Sequence, residues 1–262
     1  MMILETERLA ITFGGVRAID GVSISIASGQ VFSIIGPNGS GKTTLFNLVS
    51  GIYHPNDGSI RLAGETVTGL APDQLARRGL SRTFQNLQIF SRMTVLENVM
   101  VGRHRHERTG VLADLLHWPT VARQNRATRE AALAALARVS LADVADRPAG
   151  SLAYGALKRL EIARALASEP KVLLLDEPAA GCNPIETQDI DHVIRSIVQG
   201  GITVVLVEHD MRLVMNISDR VHVLASGRTL TEGTPAEVRA NPAVIEAYLG
   251  VHGTQEAGRA FD

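Results

Sequence analysis

Gly36-Pro37-Asn38-Gly39-Ser40-Gly41-Lys42-Thr43 is the stretch on which the reading of this chain turns. It fits the phosphate-loop pattern GxxxxGK[ST] without a mismatch. The apolar run Val31-Phe32-Ser33-Ile34-Ile35 before it reads as a strand, and Thr44–Ser50 after it reads as a helix closed by Gly51. In this order the glycines let backbone N–H groups turn inward around phosphate oxygens, at the positive end of the following helix. Lys42 would then bridge the β- and γ-phosphates, the Thr43 hydroxyl would ligate Mg²⁺, and Thr44 completes the loop. The plain alternative is a glycine-rich turn ahead of a helix, and the matching flanks weigh against it.

Outward from the loop, Val22, Ile24 and Ile26 alternate at period two, and Gly58 to Gly64 reads as another short strand bounded by turn residues. Lys171–Leu175 and Ile202–Val207 are apolar enough to be buried parallel strands. The first of these leads into Asp176-Glu177. A carboxylate at the end of a buried strand sits where α/β sheets bind ligands, so Asp176 can hold Mg²⁺ through water. Glu177 beside it can orient or deprotonate an attacking water. Taken alone, the pair also fits a helix-start cluster near a positive dipole end. The middle of the chain changes character. Thr94-Val95-Leu96-Glu97 has capping-box spacing and opens a helical pattern to about Gly102, and Thr120 to Val139 reads as one longer helix. The pattern predicts an α/β nucleotide-binding core interrupted by a helical lobe over residues 89–160.

Composition bounds this reading without naming a function. The chain has 262 residues, 45% of them hydrophobic, enough for one domain with a lobe and a sizeable core. Lys plus Arg is 26 against Asp plus Glu 27, a formal charge of −1 that names no polyanionic partner. The longest uncharged stretch, Gly21 to Gly41, is cut by Ser, Gly, Gln, Asn and Pro and does not read as a membrane span. The first residues lack the basic start and apolar core of a signal peptide. A single cysteine, Cys182, excludes an intrachain disulfide framework and a multi-cysteine zinc site. These features predict a soluble, cytosolic protein. Charge is unevenly spread, with ten arginines from Arg77 to Arg129 facing Glu97, Glu107 and Asp114, a local balance of +7. A solvated helical face, a surface for a membrane partner near anionic lipid, and a nucleic-acid surface all fit that stretch. The last dozen residues, 251–262, read as a disordered tail.

Further segments turn the pattern into a resemblance. Ser151-Leu152-Ala153-Tyr154-Gly155 followed by Leu160-Glu161-Ile162-Ala163-Arg164-Ala165-Leu166 resembles the signature loop and helix of ABC ATPases. Thr83-Phe84-Gln85-Asn86 resembles their glutamine loop, and Val207-Glu208-His209-Asp210 their switch-histidine segment. The resemblance covers residues 3–250 in the family's motif order. It implies a P-loop NTPase (RecA-like) ABC nucleotide-binding core with an antiparallel β part and an inserted helical lobe. On that pattern residues 1–250 form one domain, with a catalytic core of 1–88 and 161–250 and a lobe of 89–160. It further implies that ATP is hydrolysed with Mg²⁺ held by Thr43, Gln85 and Asp176, Glu177 acts as base, and His209 bonds the γ-phosphate or Glu177. Phe13 fits the family's adenine-stacking aromatic, although a Phe ending an alternating strand is also a core residue. Two such domains sandwich two ATP molecules head to tail, so Leu152, Ala153, Tyr154 and Gly155 would act in trans. Gly181, Cys182 and Asn183 fall in the dimer-contact loop, with Cys182 where Leu is common.

Narrower strings, Leu-Ala-Tyr-Gly at 152–155, Ser-Arg-Thr-Phe-Gln-Asn at 81–86, Asp-Glu-Pro-Ala-Ala-Gly at 176–181 and Glu-His-Asp-Met at 208–211, are similar to the ATPases of branched-chain (hydrophobic) amino acid importers. So is the run from Glu232 to Gly250. That similarity implies a second ATPase subunit, identical or not, two membrane permease subunits and, indirectly, a periplasmic solute-binding protein. It places the chain in the cytoplasm, peripheral on the inner face of the plasma membrane, with no nucleic acid expected. The rival class is a soluble ABC ATPase acting on nucleic acid or the ribosome. One departure stands out: Ala156 occupies a place where the signature has Gln, which predicts slower turnover without loss of activity.

Overall fold

Alternating buried and exposed side chains shape the first part of the chain. Strand β1 (Met2–Phe13) folds back antiparallel on β2 (Val16–Ala27) through Gly14-Gly15, both at positive φ as a tight hairpin turn requires. Leu9 and Ile11 of β1 and Ile19, Val22, Ile24 and Ile26 of β2 are buried on one face. The strand expected between Gly58 and Gly64 is β4 (Asp57–Leu62), antiparallel to β1. With β5 (Glu65–Thr66) it completes a four-stranded sheet in the order β2-β1-β4-β5. The structure, a computed structural model, describes residues 1–83, 87–104 and 119–252, without the side chains of 119–122 and 249–252.

The second sheet carries the phosphate loop. It contains β3 (Val31–Ile35), β6 (Leu80–Arg82), β7 (Val172–Asp176), β8 (Thr203–Val207), β9 (Arg220–Ala225) and β10 (Arg228–Gly233), in the order β10-β9-β3-β8-β7-β6. All neighbours are parallel except β10 on β9. Every residue of β3, β7 and β8 is buried, which is why these strands read as continuous apolar runs. The order has a functional consequence. Because β8 lies between β3 and β7, the loops leaving all three carboxyl ends meet at one edge of the sheet, where open α/β sheets bind ligands.

Helix α1 (Lys42–Val49) follows the phosphate loop and starts two residues earlier than expected, because Gly41 at φ 105° makes the turn and Lys42 already lies in the helix. Helix α2 is Pro72–Arg77. Between β6 and β7 the described elements are helical: α3 (Val95–Val101), α4 (Pro119–Arg138), 3-10 turns at Ala142–Val144 and Ala149–Ser151, and α5 (Tyr154–Leu166). The capping box at Thr94 forms as its spacing predicts, with the Glu97 carboxylate accepting the Thr94 N–H at 2.7 Å and the Thr94 hydroxyl accepting the Glu97 N–H at 3.1 Å. Val99, Leu136, Val139 and Leu160 join these helices in a cluster that runs on to Leu173 and Leu175 of β7. Residue 160 lies inside the continuous α5, so the helix spans the boundary expected between lobe and core. The chain ends with α6 (Pro184–Gln199), α7 (Met211–Ile217), α8 (Pro235–Arg239) and α9 (Pro242–His252). The expected tail therefore starts inside a helix at 251–252, and 253–262 lie outside the described residues. Among the described residues no helix is long and apolar enough to cross a membrane.

Candidate functional site

The phosphate loop is shaped by backbone contacts that only glycine allows. A Cβ on Gly36 would lie 2.1 Å from the Leu224 carbonyl oxygen, and one on Gly41 would lie 2.8 Å from the Ala18 carbonyl oxygen. Within this turn the Lys42 ammonium donates to the carbonyls of Gly36, at 2.7 Å, and Pro37, at 3.1 Å. Burial lowers its pKa from the usual lysine value, and the nearby Glu177 charge acts in the opposite direction. Ser40 Oγ is buried and has no hydrogen-bond partner among the described residues. An orphaned hydroxyl and an ammonium held only by carbonyls are both suited to receiving phosphate oxygens.

The loop opens onto a cavity of about 580 Å³. Asn38, Gly39, Gly41, Lys42, Thr43 and Thr44 line one side, and Glu177 and His209 also reach it, so the ends of β7 and β8 meet the loop as the strand order requires. Val16, Arg17 and Ala18 at the start of β2, with Ser226 and Gly227 of the β9–β10 turn, complete the wall. Phe13 is not among these lining residues. Its exposed ring packs edge-on against Tyr53, with centroids 5.2 Å apart, and the exposed apolar side chain lining the cavity from that hairpin is Val16.

Asp176 ends β7, buried, and its Oδ2 accepts from Arg82 Nη2 at 2.7 Å. Glu177, the next residue, adopts φ 49°, a costly conformation for a side chain with a Cβ and one that persists where surrounding contacts impose it. Its N–H donates to the Val207 carbonyl at 2.9 Å, and its own carbonyl accepts from Lys158 of α5 at 3.3 Å. This turn aims Glu177 Oε1 at His209 Nε2, 2.7 Å away. Beneath them the buried Glu208 accepts N–H bonds from Ala179, at 2.7 Å, and from His209, at 3.0 Å. Burial raises the pKa of its carboxyl and those N–H donors oppose the rise. Glu208 so fixes the His209 backbone to the loop after Glu177.

Helix α5 begins at Tyr154, so Gly155 of the signature segment lies in the first helical turn and its N–H is one of the donors that such a turn leaves unpaired. That N–H donates to Glu186 Oε1 at 3.0 Å. Glu186 belongs to α6, which Asn183 caps by accepting the N–H groups of Ile185 and Glu186, each at 3.0 Å. Asn183 followed three residues later by Glu186 is a capping-box spacing that the sequence carries in plain view. A Cβ on Gly181 would lie 3.1 Å from the Tyr154 ring, so the expected dimer-contact loop packs against the signature segment of its own chain. Cys182 is half-buried, and burial raises its thiol pKa, which disfavours a reactive thiolate. None of Leu152, Ala153, Tyr154 and Gly155 lines the cavity. Gln85 lies outside the described residues, as do Arg105, Arg108, His106 and His117 of the basic stretch. Five of its arginines meet acids: Arg77 with Asp73, Arg78 with Glu65, Arg82 with Asp176, Arg103 with Glu169 and Arg129 with Asp146. All five acids lie outside the span that gave the +7 balance, so these five arginines add less net charge than the linear count assigns them.

Residues 19–180 match the family model described as ABC transporter, and residues 228–254 match one described as branched-chain amino acid ATP-binding cassette transporter. The chain is 49% identical over 249 residues to the high-affinity branched-chain amino acid transport ATP-binding protein BraF of Pseudomonas aeruginosa, covering 95% of this chain and 98% of the relative. It is 44% identical, with the same coverage, to the corresponding LivG protein of Escherichia coli. Among solved structures it is similar to an ATP-binding cassette of an ABC transporter in its ADP conformation, with TM-score 0.83, 35% identity and coverage of 95% of this chain and 99% of that one. A dimeric bacterial ABC transporter cassette aligns with TM-score 0.74 at 25% identity, covering 89% of this chain and 99% of that one. With its phosphate loop, its Asp176-Glu177 strand end and His209 at one sheet edge, the chain belongs to the ABC transporter ATP-binding family, in the branch of the branched-chain amino acid transport ATP-binding proteins.

Proposed function

We propose that this chain is the ATP-binding and hydrolysing subunit of an importer for branched-chain or other hydrophobic amino acids. The observation that carries the chemistry is one cavity in which the phosphate loop faces the Glu177–His209 pair. The solute class rests on the relatives and on the C-terminal match over 228–254.

In this reading residues 36–44 grip the triphosphate of ATP. Lys42 exchanges its bonds to the Gly36 and Pro37 carbonyls for phosphate oxygens, and Ser40 Oγ gains the partner it lacks. Glu177 accepts a proton from the attacking water, and His209 keeps that carboxylate aimed. Thr43 on the cavity wall and Asp176 at the end of β7 offer oxygen donors of the kind Mg²⁺ takes. Mg²⁺, which Thr43, Asp176 and Gln85 would hold, supplies charge neutralisation at the transferred phosphate. Gly155 faces the γ-phosphate bound by a second ATP-binding subunit, identical or not, and the loop at Gly181, Cys182 and Asn183 contacts that subunit.

Residues 1–250 act as one unit, with core 1–88 and 161–250 and lobe 89–160, and α5 carries motion from the lobe to the back of Glu177 through Lys158. The lobe would meet two membrane permease subunits, which a periplasmic binding protein supplies, so the chain works in the cytoplasm against the inner face of the membrane. The test is affinity purification of the tagged chain from detergent-solubilised membranes. The expected result is recovery of two membrane subunits and a second ATP-binding chain. Recovery without membrane subunits, with ATPase activity stimulated by DNA or ribosomes in a salt-sensitive way, would overturn the proposal.

A further inference from the structure

Arg82, inside the string Ser81–Asn86, has unusually specific surroundings. It is the last residue of β6 and stands in register with Leu174 of β7, two residues before Asp176. Its guanidinium is nearly buried and works on two sides. Nη2 donates to Asp176 Oδ2 at 2.7 Å, while Nη1 donates to Asn47 Oδ1 at 2.6 Å and Ser50 Oγ at 2.8 Å on α1. Its plane lies against the Phe46 ring, 5.6 Å from the centroid. Thr83, the next residue, accepts the Asp176 N–H at 3.3 Å. One short segment therefore holds the side chain and the backbone of Asp176, and it ties both to the helix that leaves the phosphate loop.

We infer that Arg82 is the resident counter-charge of Asp176: it positions the carboxylate for Mg²⁺ and keeps a divalent cation from binding there until nucleotide brings it. A buried carboxylate without a cation is strongly disfavoured, so an unpaired Asp176 would draw in any available divalent ion. With the guanidinium in contact, the carboxylate is already neutralised, and a free cation meets local repulsion instead of an open negative site. The triphosphate adds negative charge of its own, and only the pair of ligands together favours the metal. Metal binding thereby becomes conditional on nucleotide. The planar two-sided fork suits this task because a lysine ammonium cannot reach the three acceptors in that geometry.

The inference rests on the cavity being the Mg²⁺–ATP site, and the experiment separates the two. Nucleotide affinity is measured by calorimetry on the full chain with EDTA and with Mg²⁺, and the thermal midpoint is measured with Mg²⁺ alone. Absence of ATP binding by the wild type in either condition would refute the site itself. For the counter-charge, wild-type protein should show no midpoint shift with millimolar Mg²⁺ in the absence of nucleotide. A clear shift under those conditions overturns the inference without any variant. Arg82→Gln should become responsive to Mg²⁺ alone, and its ratio of ATP affinity with and without Mg²⁺ should rise about fivefold or more, roughly 1 kcal/mol. Asn47→Ala, which removes a tie to α1 but leaves the Arg82–Asp176 pair, should keep the wild-type Mg²⁺ response. An Arg82→Gln protein that is less stable yet has an unchanged Mg²⁺ response would make Arg82 a brace only and overturn the inference.

Discussion

Ser40 Oγ in the phosphate loop is buried with no hydrogen-bond partner among the described residues, whereas the Gly155 N–H in the signature segment is taken by Glu186 at 3.0 Å. Both places present donors at or near the start of a helix, and both are read as contacts for phosphate oxygens. They differ in what the single chain provides. The phosphate loop is a cradle whose lysine rests on its own carbonyls, while the signature donor is bonded to a carboxylate of the same chain. An anion arriving at the first site finds unsatisfied donors. If Gly155 meets a partner's ATP as proposed, that anion must displace Glu186. On the proposed function, this asymmetry would have nucleotide bind first to its own loop and dimer closure follow.

The largest effect is expected at the base. Glu177→Gln keeps every donor of the phosphate loop but removes the proton acceptor, so turnover should fall by about 10²–10⁴-fold with ATP binding retained and dimers accumulating. Steady-state hydrolysis near the wild-type rate would remove Glu177 from the assigned role. Lys42→Ala attacks the cradle itself. A bond from a charged donor contributes about 1.5–3 kcal/mol, so ATP affinity should weaken by roughly 10–150-fold in equilibrium titration. Retained affinity with a normal rate would contradict the phosphate-loop reading.

Glu186→Gln sharpens the second half of the comparison. The carboxylate accepts from Gly155 and, at 3.0 Å, from the Asn183 N–H, so its loss costs part of a helix cap, about 0.5–2 kcal/mol of stability. If it also occupies the donor needed by a partner's phosphate, ATP-driven dimer formation should strengthen several-fold in the Glu177→Gln background, read by sedimentation at fixed ATP. A weaker dimer would mean that Glu186 supports the closed state instead of competing with it.

The two regions were also unequally legible. Every feature of the phosphate loop that matters is local: glycines at fixed offsets, a strand before and a helix after, and Lys42 bonded within its own turn. Asp176, Glu177 and His209 were legible for a related reason, since each follows a buried apolar run and parallel strands bring those ends together. The signature segment depends on residues about thirty positions away, such as Glu186 against Gly155, and no periodicity announces such a pairing. Arg82 was hidden by counting: in the linear sum it belongs to a basic stretch, and in the fold it neutralises a carboxylate 94 residues on. Phe13 is a different case. Its type and position fit an adenine platform, and its exposed ring meets Tyr53 edge-on, a contact across 40 residues that a strand's alternation does not announce.

The smallest expected effect concerns Ala156, the departure most visible in the sequence. It follows Gly155 in the first turn of α5 and packs, half-buried, against the cluster beneath that helix. A glutamine there could add one neutral hydrogen bond toward a partner's nucleotide, worth about 0.5–1.5 kcal/mol. It would also have to turn its amide away from the apolar contacts that Ala156 now makes, which offsets part of that gain. The two terms are of similar size and opposite sign, so Ala156→Gln should change the ATPase rate by less than about tenfold. A gain of a hundredfold in purified protein would mean that this signature segment is the degenerate half of the pair of regions. In that case the asymmetry at Gly155 reflects loss of function there, and Glu186 is filling a site that no longer meets phosphate.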